Sequence, residues 1–555
     1  MKKYIKYFFG VVTLLCITAT GCKKDFFNRP PENQITVGTY YQTATEVQSS
    51  TNILYAAPWF GFNGKAFLAI GDLASGNVIC YAGADGSFDA FRNLTEGNAT
   101  QTVQSAWNSL FTVVAQSNAL INNLPTAATA VAPAIVNNAL GEAHLMRAAA
   151  YFYLVRLFGN VPIITDPAPF VGTFQTVPTN PVTDVYQFII NDLTFAEANC
   201  SVGTASSGHV SSGSASGLLA KVYLYRQDYA NAKKEAEKVI NSGEFGLVGL
   251  DAPGAFVNLF ESAYNNNKES MIALQWTANG GYGFGNQIQS VIADNESVTV
   301  NGTTITITGT GDGYGELGPT WDLQDAFTLA GDVVRQHGTI MLGGDTYPEI
   351  DKAAGGWVVP LKVNAQGVHA SLKKYVTGTP ADNNGNGAAQ ATSNNTYLLR
   401  YAEVYLIEAE AIMGLAANPG VGHGIPLATL SADATALKYL NLVRQRAGLG
   451  PRPNFTYQQL IAERRLEFAV EADYWYDLQR IDGFNSSTHP VAAAMIAAQN
   501  RGNSSGGGTA AGNYKDYTRN VTNITATDAQ FLLPIPATDV AADPFLIKPP
   551  VPYKF

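Results

Sequence analysis

Residues 216–243 read SGLLAKVYLYRQDYANAKKEAEKVINSG, and this stretch restricts the fold more tightly than any other. Two helical segments, 216–226 and 229–242, are joined by a short turn. Ala220, Tyr223, Tyr229, Ala232 and Ala236 fall at positions 8, 11, 17, 20 and 24 of a tetratricopeptide-type unit. The alanines let two helices approach closely, and the tyrosines fill the groove between them. The pattern predicts a mainly α protein built from helical hairpins.

Helical periodicity recurs on both sides of this hairpin. It covers 45–57, 102–124, 138–158 and 182–200 before it, and 397–415, 435–447 and 457–480 after it. The 138–158 segment is stopped by Gly159-Asn160-Val161-Pro162. Between 246 and 396 this pattern gives way to Gly, Asn and Thr with short β-like runs. In 297–309 (SVTVNGTTITITG) the Asn301-Gly302 pair between alternating residues signals a β-hairpin. Residues 484–530 are again rich in Ser, Gly and Asn. The expectation is a single tetratricopeptide-like scaffold over 44–555, with irregular insertions at about 246–396 and 484–530 and minor β-hairpins. Such long loops commonly carry function.

The N-terminus carries a separate signal. Lys2, Lys3 and Lys6 precede an apolar run of about 13 residues, too short for the roughly 20 that a bilayer requires. The run ends in Ala19-Thr20-Gly21-Cys22. This is the pattern of a bacterial lipoprotein signal, residues 1–21, cleaved so that Cys22 becomes a lipid-bearing N-terminus. Residues 22–43 then form a polar, proline-bearing tether. Loss of three lysines takes the formal charge from −10 to −13. An acidic chain without a basic run argues against nucleic-acid binding through phosphates and leaves the lipid as the membrane contact. Cys16 leaves with the signal. Cys80 and Cys200 remain, read as two buried thiols in preference to a disulfide.

Catalytic signatures are sparse. Glu463, Glu467 and Glu471 stand four apart on one helical face, and a carboxylate pair can serve a glycosidase as acid and base. They sit among Leu466, Phe468, Trp475 and Tyr476, so the favoured reading is a structural ion-pair network with Arg444, Arg446 and Arg480. Glu142, Arg147 and Arg156 read the same way. The six histidines lack zinc-ligand spacing, and no nucleophile elbow or phosphate loop is present. Asp382-Asn383-Asn384-Gly385-Asn386 offers oxygen ligands for Ca²⁺ but lacks an EF-hand's spacing, and reads first as an exposed turn. No cofactor is implied.

The distinctive feature is aromatic residues set in polar loops. One cluster holds Trp276, Tyr282 and Phe284, followed by Tyr314, Trp321, Tyr347 and Trp357. An earlier one holds Trp59, Phe60 and Phe62, then Asp72, Asn77, Tyr81 and Arg92. Flat rings suit the C–H faces of sugars, while Asn, Asp and Arg fork to paired hydroxyls. Each ring has a competing role as an anchor holding its loop to the helices. Trp276, Tyr282 and Tyr314 are the preferred binders, supported by Phe284, Tyr81, Asp72, Asn77 and Arg92.

Several stretches together resemble the SusD/RagB-like family of outer-membrane lipoproteins from Bacteroidetes. They are LGEAHLMRAAAYFYLVRLFGNVPII at 140–164, the hairpin at 218–243, LRYAEVYLIEA at 399–409, LNLVRQRAG at 440–448, ERRLEFAVEADYWYDLQR at 463–480 and FLLPIPATDVAAD at 531–543. The resemblance implies a tetratricopeptide-like scaffold with loop-built binding surfaces. It also implies a non-catalytic protein at the outer membrane, facing the cell exterior. Such a protein captures oligosaccharides, or in some members peptides, and passes them to a SusC-type TonB-dependent transporter.

Overall fold

The structure, a computed structural model, describes residues 40–80, 85–203, 207–280, 283–293, 297–300, 303–306, 313–359, 370–386, 390–420, 422–502 and 519–555. Its frame is a succession of antiparallel helices, Gln101–Ala127, Pro133–Phe158, Val182–Asn199, Ser212–Tyr225, Tyr229–Ser242, Tyr401–Ala417 and Ala434–Arg446, each packed on the next in chain order. From Ala139 onward Pro133–Phe158 is buried on nearly every face, as expected for a helix apolar all round. The 212–242 hairpin forms as its spacing predicts: Ala220, Ala232 and Ala236 are fully buried and Tyr229 nearly so. Tyr229 lies flat over Gly414, where a Cβ would collide with its ring. One apolar cluster runs from Val47 to Leu546. Cys80 and Cys200 are free and buried, and burial pushes the Cys80 thiol up to about 12.

Two expected helices are corrected. The 397–415 helix begins late: Thr396–Arg400 is a β-strand, antiparallel to Ser270–Leu274, and the helix starts at Tyr401. The β-prone run Thr-Tyr-Leu-Leu supplies the strand. The 457–480 helix is broken into Tyr457–Phe468 and Tyr474–Arg480. Between them Val470 and Ala472 take positive φ, 66° and 61°. Left-handed backbone at a β-branched residue costs on the order of 1–3 kcal/mol. The Asp72 carboxylate offsets it by accepting both amides, Val470 N at 2.9 Å and Ala472 N at 2.8 Å. A Cβ at Gly71 would fall on Ala472, so only glycine lets the two segments meet. The 45–57 segment is shorter than expected as α-helix, Ala44–Ser50, and continues as the 3₁₀ turn Thr51–Tyr55.

The insertion at 246–396 is irregular, as expected, with two-stranded pairings of Ile340–Leu342 with Ala370–Leu372 and Thr346–Tyr347 with Trp357–Val358. Strands Ser297–Val300 and Thr303–Thr306 pair antiparallel; the Asn301-Gly302 turn joining them lies outside the described residues.

Candidate functional site

The three glutamates of the 457–468 helix and the turn after it resolve into a buried ionic frame. Glu467 receives Arg400 at 2.9 Å and Arg335 at 3.2 Å, and also pairs with Arg446. Glu463 takes Arg335 and Arg444, and Glu471 takes Arg400 and Lys374. Glu269 bridges Arg400 and Arg446 from the turn just ahead of the Ser270–Leu274 strand. Burial pushes the Glu467 carboxyl up, but the guanidiniums of Arg446, Arg400 and Arg335 outweigh it and hold it far below the usual carboxylate range. The network reading therefore stands with a changed membership: Arg480 pairs instead with Glu410 and Asp477.

Three of the eight expected binding residues, Asp72, Asn77 and Trp276, are buried in the interior. Asp72 and Asn77 are fully buried; Asn77 donates to the Asp72 carboxylate and accepts from Arg465. They latch the broken helix and do not face a ligand. Trp276 is 5% exposed, its indole N–H donating to Thr396 Oγ1 at 3.0 Å, so it is an anchor. Trp59, Phe62, Trp321, Tyr347 and Trp357 are buried too. Arg92 is half-buried and paired with Asp89. Cys22, Tyr81 and Tyr282 lie outside the described residues. Asp382, the acidic member of the Ca²⁺ candidate, is buried in a turn and already accepts the amides of Thr379 and Lys352. Burial raises its carboxyl, but these bonds hold it below the ordinary value.

Two nominated rings remain open: Phe284, 49% exposed, and Tyr314, 45%. Tyr264, 47% exposed, joins them; it was not singled out, although its setting in SAYNNN carries the same signal of a ring among asparagines. Among the described residues Phe555 is the one other aromatic exposed to this degree. The three rings sit on segments that contribute residues to one narrow cleft or bond to it. Tyr314 accepts a hydrogen bond from Gln390 and donates its amide to Ser290 O. Phe284 precedes Gly285, which is pressed against Ala391, and Asn286, whose amide and carbonyl pair with Thr392. Tyr264 follows Ser262, and Asn265 beside it donates to Ser393 O. Gln390, Ser290, Ala391, Asn286, Thr392, Ser262 and Ser393 all line the cleft.

The lining is amide, hydroxyl and small residues, with no described Asp, Glu, Lys, Arg or His. Its walls are braced: Gln289 holds Gly378 O and Thr377 N, and Asn286 ties Asn63 to Asn394. Ser262 Oγ is buried without a hydrogen-bond partner. With room for little more than a water, about 20 Å³, the cleft cannot swallow a ligand. Uncharged hydrogen-bonding groups line the cleft, and the segments that build it also carry exposed flat rings. Such a platform can stack on apolar ring faces and bond hydroxyls, and it offers no carboxylate pair for hydrolysis. A much larger opening lies elsewhere, beside Trp107; its walls are apolar and acidic.

The SusD family model matches residues 361–551, and a model described as starch-binding associating with outer membrane matches 84–224. A SusD-like protein of Bacteroides ovatus is 30% identical over 583 residues, covering 100% of both chains. SusD-like protein P2 of Formosa agariphila is 26% identical, over 87% of this chain and 91% of its own. A crystal structure solved with a xylogluco-oligosaccharide superposes with a TM-score of 0.76 at 29% identity, covering 92% of this chain and 99% of that one.

Proposed function

The chain belongs to the SusD family, and from that premise we propose that it is a non-catalytic glycan-binding protein whose ligand lies across Tyr264, Phe284 and Tyr314. The observation that carries this reading is that three exposed rings sit on the segments that build an uncharged amide-and-hydroxyl cleft, one of them bonded to its Gln390. A neutral oligosaccharide matches it face for face: C–H surfaces on the rings, hydroxyls toward Asn, Gln, Ser and Thr. The relative crystallised with a xylogluco-oligosaccharide supports this ligand class and makes neutral β-glucan fragments the first candidates. The commitment of Glu463, Glu467 and Glu471 to buried arginines supports binding without cleavage.

Cys22 is the proposed lipid anchor at the outer membrane, and a SusC-type TonB-dependent transporter the proposed recipient of the glycan. No helix among the described residues is long and apolar enough to cross a membrane. The test is calorimetric titration of a soluble Cys22→Ser chain, beginning at residue 22, with xyloglucan oligosaccharides. Alanine at Tyr264, Phe284 and Tyr314 together should abolish binding with melting temperature unchanged. Release of reducing ends by the purified protein would overturn the non-catalytic reading, and preference for peptides would overturn the ligand class.

A further inference from the structure

The groove beside Trp107 is an open trough of about 860 Å³. One wall is the Gln101–Ala127 helix, from Trp107 to Asn123; the others come from 162–177 and 539–546. Trp107, Phe111, Pro162, Ile164 and Leu546 make it apolar. It also holds three carboxylates, Asp166, Asp539 and Asp543, and no described lysine or arginine lines it. Each carboxylate has a structural hydrogen bond: Asp166 from Ala168 N, Asp539 from the Trp107 indole, Asp543 from Val177 N. None of these donors is a cation, and among the described residues no lysine or arginine pairs with the three carboxylates. The chemistry of the trough calls for an extended segment with aromatic and basic side chains.

The described chain begins next to it. Gln42 Nε2 donates to Tyr40 O and to Ala127 O, one helical turn beyond Asn123 at the end of the trough. The residues ahead of Tyr40 include Lys23-Lys24-Asp25-Phe26-Phe27-Asn28-Arg29, two aromatics flanked by three cations. The thirteen peptide steps from Tyr40 back to Phe27 reach up to about 45 Å when extended, against about 24 Å for the helix face from Trp107 to Asn123. We propose that the trough is the docking site of the chain's own N-terminal segment, residues 23–39, with Phe26 and Phe27 on its apolar floor and Lys23, Lys24 or Arg29 at its carboxylates. Seating this segment would shorten the leash between Cys22 and the scaffold and make its length switchable. The docking does not depend on Cys22 carrying a lipid or on what the ring platform binds.

The test is cysteine cross-linking in the Cys22→Ser chain, with Asn28→Cys paired either with Ala115→Cys in the trough or with Lys234→Cys on a distant exposed helix. The native thiols Cys80 and Cys200 are buried and do not compete. A docked segment raises the local concentration at Ala115, so cross-linking there should exceed that at Lys234 by at least about tenfold. Phe26→Ser with Phe27→Ser should erase the difference, and Asp166→Asn, Asp539→Asn and Asp543→Asn together should reduce it while keeping their hydrogen bonds. Equal rates at the two sites, or insensitivity to the phenylalanines, would overturn the proposal. A predominantly intermolecular product would overturn it in favour of a second copy as occupant.

Discussion

The buried ionic frame and the ring platform use opposite chemistry, although both draw residues from the 246–396 insertion. In the frame, Arg335, Arg400, Arg446 and Lys374 meet Glu269, Glu463, Glu467 and Glu471 with almost no exposure. In the platform no charged side chain is present among the described lining residues. Charge in this protein is concentrated where it fixes the meeting of helices, strand and loops. The surface offered to a ligand is left neutral. A neutral polyol loses little by leaving water for such a surface, whereas an unpaired charge there would demand its own counter-ion. The same division separates Trp276 from Phe284 eight residues later: one ring anchors the loop, the other faces outward.

The largest expected effect comes from breaking the frame. Arg400→Met removes the partner of three buried carboxylates and should cost about 3–5 kcal/mol or prevent folding, measured by denaturant unfolding. A loss below about 1 kcal/mol would mean the frame is not a stabilising unit. Trp276→Ala should destabilise by about 3–5 kcal/mol, while Phe284→Ala should stay within about 0.5 kcal/mol. Equal melting temperatures for those two variants would erase the distinction between anchor and platform.

The two kinds of buried carboxylate also differ in sign with pH. Glu467 is held below its unfolded value, so its contribution is complete at neutral pH and declines as pH falls below the ordinary 4.5. Asp72 is raised by burial from 3.8 to about 6, against the opposing bonds from Asn77, Val470 and Ala472. Its contribution is full below about 3.8 and is lost as pH rises through about 6. Asp72→Asn should therefore flatten the slope of unfolding free energy between those values and leave the acid limb in place. An unchanged slope would show that Asp72 stays ionised throughout.

The helical frame was legible because helix periodicity and small-residue spacing are local properties. The 212–242 hairpin and the 133–158 helix follow from them directly. The break at 469–473 was not legible, because its cause, Asp72, lies some four hundred residues away. The same polar character that suggested a ligand contact at Asp72 and Asn77 serves a remote backbone. Trp276 and Phe284 share one glycine-rich loop, and the contact that marks the inward ring is to Thr396, 120 residues away. Arg335 and Lys374 joined the frame from segments with no motif to announce them. Tyr264 was legible by the signal that flagged Tyr314.

The central claim is that Tyr264, Phe284 and Tyr314 form a neutral glycan platform. Titration of a xyloglucan oligosaccharide into the wild-type chain and the triple alanine variant, each at low and high salt, tests it most directly. Binding should be unchanged by salt in the wild type and should disappear in the variant, whose melting temperature stays the same. Undiminished binding by the folded variant would contradict the claim.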